Sequence, residues 1–103
     1  MNHEIFERAR AKGKPILLDF TAEWCSTCMT MDEIVEKRIA RKYEGKITLV
    51  KLDVNEHIEL AKKLNIFSVP TFIFLKPSGE EIWRKVGMVD GEEIIEDIEK
   101  VVK

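Results

Sequence analysis

The chain contains no glutamine, and among its 103 residues only two are cysteine, three proline and five glycine. It has no apolar run near the roughly 20 residues that a membrane-spanning helix needs, so membrane insertion is not expected. The opening Met1-Asn2-His3-Glu4 lacks the basic and then apolar order of a secretory leader. A cytoplasmic setting is therefore expected, or a periplasmic or other extracytoplasmic one if the chain is a piece of an exported protein. There is no excess of positive charge either. The formal net charge is -2, and the basic pairs Lys12/Lys14, Lys37/Arg38, Arg41/Lys42 and Lys62/Lys63 have acidic neighbours. A sequence-independent grip on nucleic acid is not expected on that ground. Repeats, linkers and low-complexity segments are missing, which leaves one domain over residues 1–103, expected as a monomer.

What remains is 45% apolar and 35% charged, the balance of a globular chain with an ion-rich surface and a small core. Its weight of Lys, Glu and Ile, with glutamine missing, is a composition that fits a thermophile.

Hydrophobic spacing orders the chain. Residues from Asn2 to Lys12 read as a helix, with Ile5, Phe6 and Ala9 on one face and Asn2 as N-cap. Gly13 ends it, and Pro15 cannot continue it. Ile16-Leu17-Leu18-Asp19-Phe20 is a nearly continuous apolar run, as in a strand buried on both faces, and Asp19 is its exception. From Ser26 to Tyr43 the period turns helical, with Met31, Ile34, Val35 and Ile39 on a shared face, and Gly45 closes the segment. Ile47 to Val54 is a second strand. His57 to Leu64 is a short helix with Ile58, Ala61 and Leu64 inward. Thr71 to Leu75 is a third strand, and the Pro77-Ser78-Gly79 turn joins it to a fourth over Glu80 to Val86 in an antiparallel hairpin. After Gly87, Asp90 caps a last helix with Ile94, Ile98 and Val101 as its stripe, widened by Ile95 and Val102. The order α-β-α-β-α-β-β-α predicts an α/β fold. Parallel pairing is expected early, and the closing hairpin completes a central mixed four-stranded sheet with helices on both faces.

Both cysteines lie in Trp24-Cys25-Ser26-Thr27-Cys28, where the first strand gives way to the long helix. At i and i+3 on a first helical turn, their Cα atoms stand about 5 Å apart, within reach of a disulfide. A thiolate at a helix N-terminus meets unpaired N–H groups and the positive end of the dipole, which lowers its pKa. Cys25 is thus expected to attack, and Cys28, one turn further in, to resolve. Two other readings stay open. As a structural staple, so small a loop contributes only about 2 kcal/mol. As half a metal site, two cysteines fall short of the four ligands of structural zinc, and His3 and His57 are far off in sequence. A second copy would then have to supply the remaining ligands to a metal or iron–sulfur cluster.

The run Asp19-Phe20-Thr21-Ala22-Glu23-Trp24-Cys25-Ser26-Thr27-Cys28 resembles the active-site segment of the thioredoxin superfamily. Val69-Pro70-Thr71 resembles that family's cis-proline segment, Gly87 its glycine after the last strand, and the element order its fold. The resemblance covers nearly the whole chain. It implies that Cys25 forms a mixed disulfide with substrate, that Cys28 releases it, and that Asp19 manages the Cys28 proton as a buried carboxylate of raised pKa. Lys51 matches the lysine beside that aspartate. Pro70 would be cis, leaving the Val69 backbone free to pair with an extended substrate, and Trp24 would be a flat apolar lid beside Cys25. Ser26 and Thr27 belong to the same substrate-facing group.

The departures are several. Ser26-Thr27 stands where typical thioredoxins have Gly-Pro, Met29 where they have lysine, Glu33 where they have a helix-kinking proline, and Thr21 where they have a first tryptophan. The first thioredoxin strand is absent. In its Gly13-Lys14-Pro15 entry the chain is similar to the C-terminal thioredoxin-like domain of membrane thiol:disulfide interchange reductases. The resemblance thus implies a dithiol oxidoreductase that reduces protein disulfides with no cofactor beyond its redox-active Cys25/Cys28 pair. It would be recharged by an upstream reductase or a membrane electron donor. The alternatives are a disulfide oxidase or isomerase, or a non-catalytic peptide-binding or metal-bridging module. The dipeptide between the cysteines bears on direction, since about 30 mV is a tenfold change in equilibrium for a two-electron couple.

Overall fold

A computed structural model describes residues 4–102. The expected N-cap Asn2 and His3 lie outside the described residues. Helix α1 runs Glu4–Ala11, strand β1 Ile16–Thr21, and helix α2 Ser26–Ile34, which continues without a break into a π-helical segment Val35–Ala40. Strand β2 (Thr48–Asp53), helix α3 (Ile58–Lys63), the hairpin β3 (Thr71–Leu75) and β4 (Glu81–Val86), and helix α4 (Gly91–Glu99) follow. The long helix expected over Ser26 to Tyr43 is thus present, with its hydrogen bonding loosened to the wider π pattern just after Glu33.

The four strands form one sheet in the order β2-β1-β3-β4. β1 pairs parallel with β2 and antiparallel with β3, and β3 pairs antiparallel with β4. Parallel pairing stops at the first pair for a reason of length. The six residues of α3 rise about 9 Å, whereas a six-residue strand such as β2 spans about 20 Å. The chain therefore re-enters the sheet from the end at which it left. That brings Thr71 opposite Phe20, and so places the start of β3 at the C-terminal end of β1, beside the cysteines.

Each face of the sheet carries its own core. On one, Ile16, Leu18, Phe20, Val50, Leu52 and Ile73 pack against Ala9 of α1 and Leu60 and Ala61 of α3. On the other, Leu17, Phe72 and Phe74 pack against Met31, Val35 and Ile39 and against Ile94 and Ile98 of α4. The alternation puts Leu17 on the α2 side and Leu18 on the opposite side, so Asp19 falls on the α2 side. Two helical faces differ from expectation. Ile58 is 53% exposed, because α3 turns Leu60 and Ala61 inward instead, and Val101, beyond the end of α4, is exposed.

Asp90 caps α4 as expected, its Oδ1 accepting the Glu92 N–H at 2.9 Å. The next residue carries a close approach. A Cβ on Gly91 would stand 2.6 Å from Ile34 Cγ2 and 3.3 Å from an Arg38 guanidinium nitrogen. Ile34 is β-branched and stiff at χ1, so it yields little. Gly91→Ala is therefore expected to destabilise the fold by about 1–3 kcal/mol, read as a lower midpoint in denaturant with an unchanged slope.

Candidate active site

The site is built where β1 ends. The strand delivers Asp19 into the sheet and Cys25 to the head of α2. Cys25 is the N-cap of that helix, in extended conformation, and Cys28 lies in its first turn. The two sulfurs form a disulfide, with Cα atoms 5.2 Å apart. The pair is unequal. Cys28 is 1% exposed, while Cys25 opens, at 7%, onto a surface groove. Cys25 Sγ accepts the Cys28 backbone N–H at 3.2 Å. It also lies 3.2 Å from Thr27 Oγ1, whose hydroxyl donates to it in the disulfide state, where sulfur carries no proton. Its third neighbour is the Val69 carbonyl oxygen at 3.8 Å.

The groove encloses about 560 Å³ and is lined by Trp24, Cys25, Ser26, Thr27, Val54 and the run from Ile66 to Val69. No charged side chain is among these. The Val69–Pro70 peptide bond is cis, as the resemblance implies. Trp24 is 75% exposed and so forms a groove wall rather than core, and Phe67, 89% exposed, stands among the same lining residues. Sequence reasoning missed Phe67. The signal available was a large aromatic two residues before Val69-Pro70, in a stretch with no helical or alternating period to bury it.

Between β1, β2 and the helix that Cys25 caps lies a group of charges. Asp19, 2% exposed, has its pKa pushed from 3.8 to about 7. Burial is the main cause, followed by repulsion from Asp32. Lys51 acts against the shift, and a hydrogen bond with Asp32 adds to it. Lys51 is the register partner of Asp19 on β2, but its ammonium is not spent on Asp19. Nζ bonds Asp32 Oδ2 at 2.7 Å and approaches Glu36 at 3.6 Å. The hydrogen bond to Asp32 is also what chiefly raises the pKa of Lys51. Asp32 is the second residue that sequence reasoning missed. Its signal was its place four residues after Cys28, on the same face of α2.

As for the metal reading, no group of three or more His, Cys, Asp or Glu poised around a common point occurs among the described residues. His57 does not line the groove.

These features agree with what the chain is similar to. The Thioredoxin family model matches residues 1–100. The chain belongs to the thioredoxin family. The thioredoxin of Rickettsia bellii is 38% identical over 82 residues, covering 80% of this chain and 76% of that protein. The structure of the germline-specific thioredoxin Deadhead from Drosophila melanogaster superposes with a TM-score of 0.84 at 33% identity, over 95% of this chain and 91% of that one. The thiol:disulfide interchange protein DsbD of Campylobacter jejuni is 33% identical over 102 residues, which are 93% of this chain. The chain spans only 18% of that relative's length. As a thioredoxin-family protein it keeps the family's Cys-x-x-Cys pair intact as Cys25 and Cys28. Its hydroxyl-bearing Ser26-Thr27 dipeptide is the local departure from the Gly-Pro pattern. No helix among the described residues is long and apolar enough to cross a membrane.

Proposed function

We propose that the protein reduces protein disulfides through a mixed disulfide on Cys25. The observation that carries this reading is the inequality of the two sulfurs. Only Cys25 borders the groove, and only Cys25 receives both an amide and a hydroxyl donor. The Cys25 thiolate attacks one sulfur of a substrate disulfide, and the other substrate sulfur leaves as a thiolate. The Cys28 thiolate then attacks Cys25 Sγ, forming the Cys25–Cys28 disulfide and releasing the second substrate sulfur. Two electrons pass to the substrate and no bound cofactor is required. The oxidised protein is recharged by a reductase or, as the likeness to a DsbD segment suggests, by a membrane electron donor. The compartment follows that donor, cytoplasmic for a soluble reductase and periplasmic for a DsbD-like one, and the working unit is a monomer.

A second reading has an observation of its own. Donors on Cys25 stabilise its thiolate, hence the reduced form, and a stabilised reduced form makes an oxidant. An oxidase would use the same two steps in reverse, and an isomerase would use the first step followed by attack of a different substrate thiolate on the mixed disulfide, which releases Cys25 as a thiolate. Equilibration against glutathione decides direction. A potential near about -270 mV is that of a reductant, and one above about -180 mV that of an oxidant or isomerase.

Thiolate absorbance against pH tests the role of the donors. In the reduced protein, Cys25 is expected to titrate below the about 8.5 of a free cysteine. Thr27→Val removes the hydroxyl at nearly constant volume. It should move that titration back up and slow alkylation at pH 7 by about three- to tenfold, with Thr27→Ser restoring it. Thiols that stay unreactive across the range would instead favour a non-catalytic module.

A further inference from the structure

β2 is an edge strand, and among the described residues no strand pairs with its outer side. The Thr48 N–H donates inward to Pro15 O and the Val54 N–H to Thr21 O, at 2.8 and 3.0 Å. Along a strand this direction alternates, so Leu49 and Lys51 turn both N–H and C=O outward. Neither residue's backbone has a partner outside its own strand ladder among the described residues. A row of such groups is a template for another strand.

The space beside that edge has a definite shape and charge. A groove of about 340 Å³ runs along it, lined by Thr48 to Lys51 on one side and by Ile5, Arg8, Ala9 and Lys12 of the α1 segment on the other. Those four positions form one stripe at i, i+3, i+4 and i+7. Two helical turns thus lie alongside four residues of strand. Among the described residues, every charged side chain lining the groove is cationic. Lys51 is paired with Asp32 and Glu36, but Arg8 and Lys12 have no ion pair among the described residues. Arg8 and Lys12, four residues apart, are offset by about 6 Å along the helix. Side chains at i and i+2 on one face of a strand are offset by about 6.6 Å. Carboxylates at alternate positions of an added strand therefore match the two cations in spacing as well as in sign.

We propose that the outer edge of β2, with Arg8 and Lys12 beside it, docks an extended segment of a partner protein carrying acidic residues at alternate positions, as a fifth strand. Main-chain hydrogen bonds to Leu49 and Lys51 supply the pairing and the two cations supply the selection. The same charges argue against a second copy of this chain. Symmetric pairing of two β2 edges would bring Arg8, Lys12 and Lys51 of one protomer against those of its partner, and like charges so placed are destabilising. The surface is separate from the Cys25 groove and shares no lining residue with it.

The test uses the whole chain, isotopically labelled, and a short peptide alternating valine with glutamate. The peptide is expected to shift the Leu49 and Lys51 amide signals and slow their hydrogen exchange. Three controls are expected to lose this effect. They are a peptide with lysine in place of glutamate, the glutamate peptide N-methylated at alternate residues so that it cannot pair, and the Arg8→Glu/Lys12→Glu protein, which should bind roughly tenfold more weakly. That variant should exchange disulfides at Cys25 as the parent does. Equal binding of the lysine peptide, or shifts confined to Trp24, Phe67 and Val69, would overturn the proposal. So would Leu49 and Lys51 amides that become protected with rising protein concentration and no peptide, which would assign the edge to a second copy.

Discussion

Replacing Cys25 by serine is expected to reduce turnover of a protein disulfide by about a thousandfold or more, and replacing Cys28 by serine to stop it after one half-reaction. The two losses differ in kind. Cys25→Ser removes the cysteine sulfur that borders the groove, so no covalent adduct forms and no substrate thiol is released. Cys28→Ser leaves Cys25 with its Thr27 hydroxyl and helix N-terminus. It should therefore attack once, release one thiol per protein molecule and remain bound as a mixed disulfide. Mass spectrometry after mixing with a cystine-containing peptide reads the adduct directly, and a thiol reagent counts the release. A Cys25→Ser protein that still turns over would sink the assignment of the nucleophile. Sustained turnover of Cys28→Ser without added monothiol would sink the resolving step.

Much of this site was legible in the sequence because it is local. Cys25 and Cys28 are three residues apart, and their unequal burial follows from one turn of helix. The breaks at Gly13-Lys14-Pro15 and Gly45 bracket the first strand and the long helix on either side. Asp19 stood out as a charge inside an apolar run, and a strand buried on both faces leaves such a residue nowhere to go but the interior. What was not legible depends on how elements meet. Asp32 reads as an ordinary helical surface acid until β1 is laid beneath α2, and only then does it face Asp19 and draw Lys51 away. The resemblance implied a lysine beside Asp19, and Lys51 is its register partner on β2, but its ammonium goes to Asp32 instead.

The fold shows the same division. Strand and helix order followed from hydrophobic period, whereas the antiparallel return of β3 depended on α3 being too short to cross the sheet. Ile58 was expected inward because a six-residue helix offers too few positions to define a face, and the packing of Leu60 and Ala61 decided it. Phe67 belongs to a loop without period, so nothing in the pattern marked it as an exposed wall of the groove. The site's shape therefore arises from two long-range events, the docking of α2 on Asp19 and the re-entry of the chain at Pro70.

Asp19→Asn is expected to make the protein both more stable and slower, and the pH dependence of each effect identifies the carboxylate as the cause. Cys28 is shut off from the groove, so its proton needs a buried acceptor before it can attack the mixed disulfide. Asp19, held at about 7, is matched to that task near neutral pH. Resolution should quicken as pH rises through about 7, where Asp19 ionises. In Asp19→Asn it should slow by about a hundredfold and lose that inflection. Asp32→Asn, which removes the neighbouring negative charge, should move the inflection down instead. Stability runs the other way. Because the folded pKa lies above the unfolded one, the native state holds its proton between about pH 4 and 7 while the unfolded chain has lost it. Stability therefore falls across that window and levels off above it. The gap between 3.8 and about 7 corresponds to at most about 4 kcal/mol. Asp19→Asn should recover a few kcal/mol of this at pH 8 and nothing at pH 4, measured by denaturant unfolding of the oxidised protein. Equal stabilisation at both pH values would mean that better packing, not relief of a buried charge, was the cause. The stability given up at neutral pH would then have no link to proton transfer at Cys28.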